Sequence, residues 1–362
     1  MNTVSVRKPN RRHSGQPTIA DVARVAECSP MTVSRVINSE ASVRPETREA
    51  VLDAVKKLNY RPNRAARSLA GGEQLRVALM FDNPSSSYLA EFLMGALEEA
   101  ARTDTQLIVQ ACESSDEARE AIRNLAKGGI RGFILPAPLS DDQAVLNLIT
   151  ELDGVAVAVG PGKATGSVAA VLIDEFQAAY DMTTHIIGLG HSRIGFIIGN
   201  PEQDAAHRRL NGYRQAMEDA GLAIDERLIV QGRFTYRSGM SAAEKLLALP
   251  ERPTAIFASN DDMAAASVAV AHRRHLDVPT DVTVCGFDDT DMASSIWPEL
   301  TTIRQPIREM TAWAVDTAAR LLLAKRGGER PTPETKTLPY TLVRRESDAA
   351  PSLVSHARLG GA

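Results

Sequence analysis

The chain has 362 residues, 44% of them hydrophobic and 24% charged, with a formal net charge of −4 at pH 7. That length predicts two to three domains with full-sized cores, and no apolar run reaches the ~18 residues of a membrane span. Three widely spaced cysteines, Cys28, Cys112 and Cys285, show no CxxC or Cys/His ligand spacing, which argues against structural zinc and against a disulfide framework.

Charge divides along the chain. Residues 1–72 carry 13 Lys+Arg against 6 Asp+Glu, and the remainder 28 against 39. A basic head on an acidic body suits phosphate binding at one end only. Residues 1–17 read as a flexible basic arm without the apolar stretch of a secretory signal, so a cytoplasmic protein is expected. Thr18 is a good helix N-cap with Asp21 placed to complete a capping box. Ile19, Val22, Ala23 and Ala26 then share one helical face. Ser29 caps a second helix with Pro30 at its first position, where the missing N–H costs nothing. Val33, Val36 and Ile37 turn inward on it, leaving Met31, Thr32, Ser34, Arg35 and Asn38 outward. Pro45 opens a third helix whose Val51, Leu52, Val55 and Leu58 complete a small core.

Two short helices joined by a tight turn match the helix-turn-helix, although any helical hairpin can imitate it. Read as a DNA-binding unit, the second helix enters the major groove and Arg35 bonds the O6/N7 edge of guanine. Pro30 and Met31 offer apolar contact to a thymine methyl. Thr32, Ser34 and Asn38 suit phosphate contacts that set register, and Thr18 joins this DNA-facing set. Residues 63–74 read as a hinge and linker, in which Asn63–Ala70 can form a short helix on DNA with Arg64 and Arg67 neutralising phosphates. A helix that short is marginal alone.

From residue 75 to 346 the pattern alternates between apolar strands and helices. LRVALMF (75–81), LIVQA (107–111), GFILPA (132–137) and VAVAVG (155–160) are runs of the kind parallel strands show when covered on both faces. A second set, AAVLID (169–174), RIGFIIG (193–199), LIVQG (228–232), TAIFASN (254–260) and VTVCGFDD (282–289), predicts a second lobe. TTIRQP and the helix from Ile307 cross back to the first lobe, and residues 347–362 read as a disordered tail.

Ligands in such sheets bind beyond the carboxyl ends of strands. Arg209, Asn260 and Asp288 stand there, and a guanidinium, an amide and a carboxylate together match the directed hydrogen bonds of vicinal sugar hydroxyls. Asn260 and Asp288 could instead only cap the helices that follow, and Asp261 reads as a pure cap. In the first lobe, DNPSSSY (82–88) offers Asn83, Ser85, Ser87 and the Tyr88 ring. Trp297 is either an aromatic platform under a pyranose or a core residue.

TIADVARVA, SPMTVSRVIN, PETREAVLDAVKKLNYRPN and RAARSLAGG run almost without a gap from Thr18 to Gly72. They resemble the headpiece and hinge of the lactose-repressor (LacI/GalR) family of bacterial transcription regulators, apart from Arg44 where that family usually has a Ser-like cap. GLGHSRIGFI, HRRLNGYRQAM, AIFASNDDMA and VCGFDDTDMASSIWPELTTIRQP resemble its regulatory core. The resemblance implies an α/β fold: a three-helix headpiece at 18–62 and a two-lobed, periplasmic-binding-protein-like core of two parallel sheets. It implies that Arg209, Asn260 and Asp288 line an effector cleft, and that Leu69 is a minor-groove wedge that kinks the duplex. Many sugar-responsive members end the fourth strand with Asp, whereas this chain has Gly160.

The expected function is a ligand-responsive regulator, a dimer on a palindromic double-stranded DNA operator, with a sugar as releasing effector and no cofactor or metal. Corepression by a purine or a phosphoprotein is the alternative within this class. A transport-type sugar-binding protein is opposed by the headpiece. An enzyme is opposed by the lack of a Walker loop, a GxSxG turn or a metal triad, since GPGKATG (160–166) lacks phosphate-loop spacing. No leucine heptad follows Leu342, so a dimer is expected rather than a coiled-coil tetramer.

Overall fold

The computed structural model of the chain describes residues 17–37, 43–58, 74–82, 85–163, 166–329 and 332–352. Asn38, Asn63, Arg64, Arg67, Leu69 and Asn83 lie outside the described residues. The chain divides into two units at Gln74–Leu75.

The first unit contains α1 (Ile19–Val25), α2 (Pro30–Ile37) and α3 (Pro45–Lys57). Thr18 and Asp21 form a reciprocal capping box: the Thr18 backbone N–H donates to Asp21 Oδ2 (2.9 Å), and Asp21 N–H donates to Thr18 Oγ1 (3.4 Å). Hydrogen bonds from the Thr18 hydroxyl, the Thr18 backbone N–H and Arg24 hold the Asp21 carboxyl down at about 2. Ser29 Oγ accepts from Thr32 N–H at 3.1 Å and starts α2. α3 starts without a side-chain cap at Arg44. Val22, Ala23, Val33, Val36, Val51 and Ala54 are buried between the helices. Leu52, expected in this core, is exposed and Ala54 takes its place. The buried stripe of α3 runs 51, 54, 55, 58 at helical spacing, and position 52 lies ~100° away from 51.

The second unit holds two all-parallel sheets. The first has the order β11-β5-β4-β3-β1-β2, from β1 (Arg76–Phe81), β2 (Gln106–Ala111), β3 (Gly132–Pro136), β4 (Val155–Val159), β5 (Ala169–Leu172) and β11 (Thr335–Thr337). The second has the order β7-β6-β8-β9, from β6 (Ile194–Ile198), β7 (Ile229–Gln231), β8 (Ala255–Ala258) and β9 (Thr283–Cys285). β3, β4 and β8 are buried along their whole length, the condition under which continuous Val/Ile/Leu/Ala runs are stable.

One expectation is corrected here. AAVLID was assigned to the second lobe, but β5 pairs in parallel with β4, with Val157 opposite Ala169. Among the described residues no helix separates β4 from β5, so the chain returns to the same sheet before it crosses.

α4 (Ser86–Arg102) and α12 (Ile307–Arg326) cover one face of the first sheet, and α5 (Ser115–Lys127) and α6 (Gln143–Glu151) the other. α4 and α12 approach so closely that a Cβ on Gly95 would lie 2.5 Å from the Arg308 carbonyl oxygen. On the second sheet, α7 (Glu175–Gly188) and α8 (Asp204–Asp219) pack on one face, with α9 (Tyr236–Leu247) and α10 (Asp261–Arg273) on the other. A short α11 (Asp291–Ser295) follows β9, and β10 (Thr302–Arg304) pairs antiparallel with β12 (Thr341–Val343).

The tail expected to be disordered from residue 347 is instead anchored as far as it is described. Ser347 and Asp348 are buried. Val284 N–H donates to the Ser347 carbonyl (2.9 Å), and Thr301 Oγ1 donates to Asp348 Oδ1 (2.6 Å). His191 bridges Thr254 Oγ1 (2.9 Å) and the Ala349 carbonyl (2.8 Å), a structural strut. Small polar residues resemble a loose tail in composition, yet here they supply the partners that buried strand-end groups need.

Candidate functional site

Two places concentrate the residues singled out by sequence. On the headpiece, Met31 is 66% exposed, and Pro30 and Arg35 are also exposed on the side of α2 away from Val33 and Val36. Thr32 and Ser34 are half-buried at its flanks, and Thr32 Oγ1 shares a hydrogen bond with Ser29 Oγ (2.8 Å). Thr18 is exposed, with its hydroxyl donating to Asp21 Oδ2 (2.7 Å). α2 therefore presents a guanidinium, a thioether and small hydroxyls on its exposed side and flanks, groups able to bond or touch base edges and phosphates.

In the second unit a cleft opens between the two sheets at the carboxyl ends of their strands. Ser85, Tyr88, Ala137 and Gly160 line it from the first lobe. Glu175, Gln203, Ala205, Arg209, Phe234, Asn260, Asp288 and Gln305 complete the lining. Arg209, from the second turn of α8, is the centre. Its Nε donates to Glu175 Oε2 at 2.7 Å, its Nη1 donates to the Ser259 carbonyl, and Nη1 lies 3.7 Å from Asp288 Oδ1. The guanidinium carbon sits 3.6 Å from the centroid of Phe287. Arg209 and Glu175 are only about 5% exposed.

Asp288 is held at φ 112°, a left-handed conformation that costs a non-glycine residue energy. Its backbone bonds to Ile303 and Gln305, and its Oδ1 accepts from Gln305 Nε2 at 2.7 Å. Burial pushes its carboxyl well above the usual carboxylate range, with Arg209 pulling the other way. Asn260 caps α10, its Oδ1 accepting from Met263 N–H (3.0 Å), while its Nδ2 donates to the Phe234 carbonyl (3.0 Å). Burial likewise raises the Tyr88 phenol, and its ring lies 6.1 Å from that of Phe92.

The cleft thus gathers Tyr88, Arg209, Asn260 and Asp288, but two expected members are elsewhere. Trp297 is 74% exposed and stacks on His272 with ring centroids 5.8 Å apart, so it is neither cleft platform nor core. Ser87 Oγ donates across the lobes to Asp262 Oδ1 (3.2 Å), beside Ser85, whose hydroxyl bonds the same carboxylate. Asp261 is not a pure cap. It accepts from Thr302 Oγ1 (2.7 Å), Thr290 N–H (2.8 Å) and Thr290 Oγ1 (3.2 Å), and burial lifts it to about 7.

Glu175, Gln203, Phe234 and Gln305 were not singled out by sequence. Glu175 directly follows a strand run and had the same signal as Asn260. Gln203 and Phe234 lie in loops without periodicity. Asp141 of the first lobe also accepts from Gly162 N–H (2.9 Å) and, across the lobes, from Asp204 N–H (3.4 Å) at the start of α8. It replaces the side-chain cap that Gln203 does not provide. No group of three metal-ligating side chains occurs among the described residues, and none of their helices is long and apolar enough to cross a membrane.

Residues 18–63 match the model of bacterial regulatory proteins of the lacI family, and residues 183–347 that of a periplasmic binding protein-like domain. Catabolite control protein A of Priestia megaterium is 33% identical over 332 residues, covering 91% of this chain and 98% of that protein. The solved complex of the transcriptional regulator CelR with cellobiose is 32% identical, with a TM-score of 0.67 over 92% of this chain and all of that one. The lac repressor dimer bound to operator and the anti-inducer ONPF is 28% identical, with a TM-score of 0.70 over the same shares.

Proposed function

The chain belongs to the lacI family of bacterial regulatory proteins, and we propose that it is a cytoplasmic, homodimeric repressor of carbohydrate uptake or catabolism genes. It holds a palindromic operator through α2 and the hinge, and a sugar in the core cleft releases it. The observation that carries this reading is the pairing of an exposed face of α2 bearing Met31 and Arg35 with a buried polar cleft centred on Arg209. The operator complex of the lac repressor dimer and the cellobiose complex of CelR support the two halves of it.

In this reading the headpiece spans 18–62, the hinge 63–74 and the effector core 75–346 with its anchored extension. Arg35 reads guanine, Pro30 and Met31 contact a thymine methyl, and Thr18, Thr32, Ser34 and Asn38 set register on phosphates. Asn63, Arg64 and Arg67 order on the backbone, and Leu69 wedges the central step. Arg209, Asn260, Asp288 and Tyr88 bind the effector, and closing or opening the cleft shifts the hinge between ordered and disordered. The chain acts by binding and performs no turnover.

The test is operator affinity by fluorescence anisotropy, on the palindromic site nearest its own gene at fixed salt, against a panel of sugars and purines. Weakening by a sugar is the expected result. Tightening by a purine, or only by an added protein, replaces induction with corepression, and the mixed polarity of the cleft disfavours a flat base.

A further inference from the structure

Arg209 is the only cation among the described residues that line the cleft. Its charge is already compensated. Glu175 takes its Nε at 2.7 Å, the Ser259 carbonyl takes Nη1, Asp288 stands 3.7 Å away, and the Phe287 ring covers the guanidinium face. Burial favours the neutral form of Asp288. With that acid protonated, Glu175 alone still cancels the guanidinium. Glu175 is the first residue of α7 and is buried beside the guanidinium. An anionic ligand would therefore enter a site with no free positive charge and with its acids already facing it.

A second observation points to what the cleft does accept. Gln203 is buried, lines the cleft, and its Nε2 has no hydrogen-bond partner. A buried amide N–H left unpaired is costly and calls for an acceptor oxygen. The remaining lone pairs of Glu175 and Asp288 in turn call for hydroxyl donors. Donors and acceptors that interleave without net positive charge fit a polyol.

Building on the effector role proposed above, we propose that the cleft takes an uncharged, hydroxyl-rich sugar and rejects phosphorylated and carboxylated ones. Glu175 is the residue that sets this charge specificity, and Gln203 donates to a ligand oxygen.

The test uses the full-length protein and inorganic phosphate as the probe, by isothermal titration. Glu175→Gln should bind phosphate at least about tenfold more tightly than the parent chain, because the Arg209 charge is then unmasked. The double variant Glu175→Gln/Arg209→Ala should lose that gain. Equal phosphate affinity in parent and Glu175→Gln overturns the assignment. Should Glu175→Gln fail to fold, as judged by circular dichroism, the parent chain carries the test alone. Its thermal stability is then compared with glucose, glucose 6-phosphate and glucuronate. No stabilisation by the two anions beyond that by glucose supports the proposal, and stronger stabilisation by either anion overturns it. Release of operator by glucose 6-phosphate would overturn the charge specificity while leaving the effector-released repressor standing. Failure of every carbohydrate to move operator affinity would refute release by a sugar and leave the phosphate comparison intact.

Discussion

Gly162→Ala is the substitution that most directly tests closure of the two lobes. Gly162 follows β4 in the first lobe, and Asp204 opens α8 in the second. A Cβ built on Gly162 would lie 1.9 Å from Asp204 Cβ and 2.9 Å from its Cα and carbonyl carbon. Carbon atoms in contact stand about 3.5–4.0 Å apart, so the lobes must part by roughly 1.6–2 Å at this point. The Gly162 backbone is outside the left-handed region, so alanine is tolerated within its own lobe. The cost therefore falls on the closed form alone. Overpacking of this kind costs about 1–3 kcal/mol, and parting the lobes also weakens the Asp204 N–H bond to Asp141. If the effector binds the closed form, its affinity should fall roughly 5- to 150-fold. Isothermal titration with the sugar that releases operator measures this, and small-angle scattering should report a more open core. Unchanged affinity together with unchanged scattering would refute the argument.

Arg209→Ala should abolish the effector response while leaving operator affinity intact, and release at the parent's ligand concentration would move the binding site elsewhere. Arg35→Ala should relax sequence specificity more than it reduces the salt dependence of binding, by ~1–3 kcal/mol at one base position; a uniform loss across sequences would reassign it to phosphate. Leu69→Ala should weaken specific operator binding by more than about tenfold and leave ligand affinity alone, since a minor-groove wedge acts only through the kinked duplex. Burial raises the Asp261 carboxyl from an ordinary 3.8 to about 7 in the folded chain. Stability from this group is then complete below about 3.8 and is lost as the pH rises through about 7. Melting of the core should accordingly rise as the pH is lowered from about 8 to 5.5, with a flatter profile in Asp261→Asn; identical profiles would contradict it.

The headpiece was legible because its information is local: caps, a proline at N1 and a helical stripe are all read within a dozen residues. Leu52 was misplaced by a single step around one helix. The parallel sheets were legible as apolar runs, but which sheet a run joins depends on its partner. AAVLID was placed in the wrong lobe for that reason. Asn260 and Asp288 could be found at strand ends, and Arg209 in the helix that follows a strand run. Glu175 could have been found by the same rule, whereas Gln203 depends on a close approach of two lobes that no periodicity records. Trp297 had a chemistry suited to sugars and a position that is not, and only its neighbours in space decide between them.

The returning strands have a consequence for synthesis. β5 waits for β11 as its outer neighbour, and the second sheet waits for Ser347 and Ala349 to meet Val284 and Thr283. A nascent chain emerging at about 5–20 residues per second leaves the β5 edge unpaired for roughly 8–30 s. The headpiece can mature on the ribosome during that time, but neither lobe can. Protection of that open edge, by a chaperone or by fast translation from residue 172 to β11, should then govern the yield of folded protein more than the final stability of the core does.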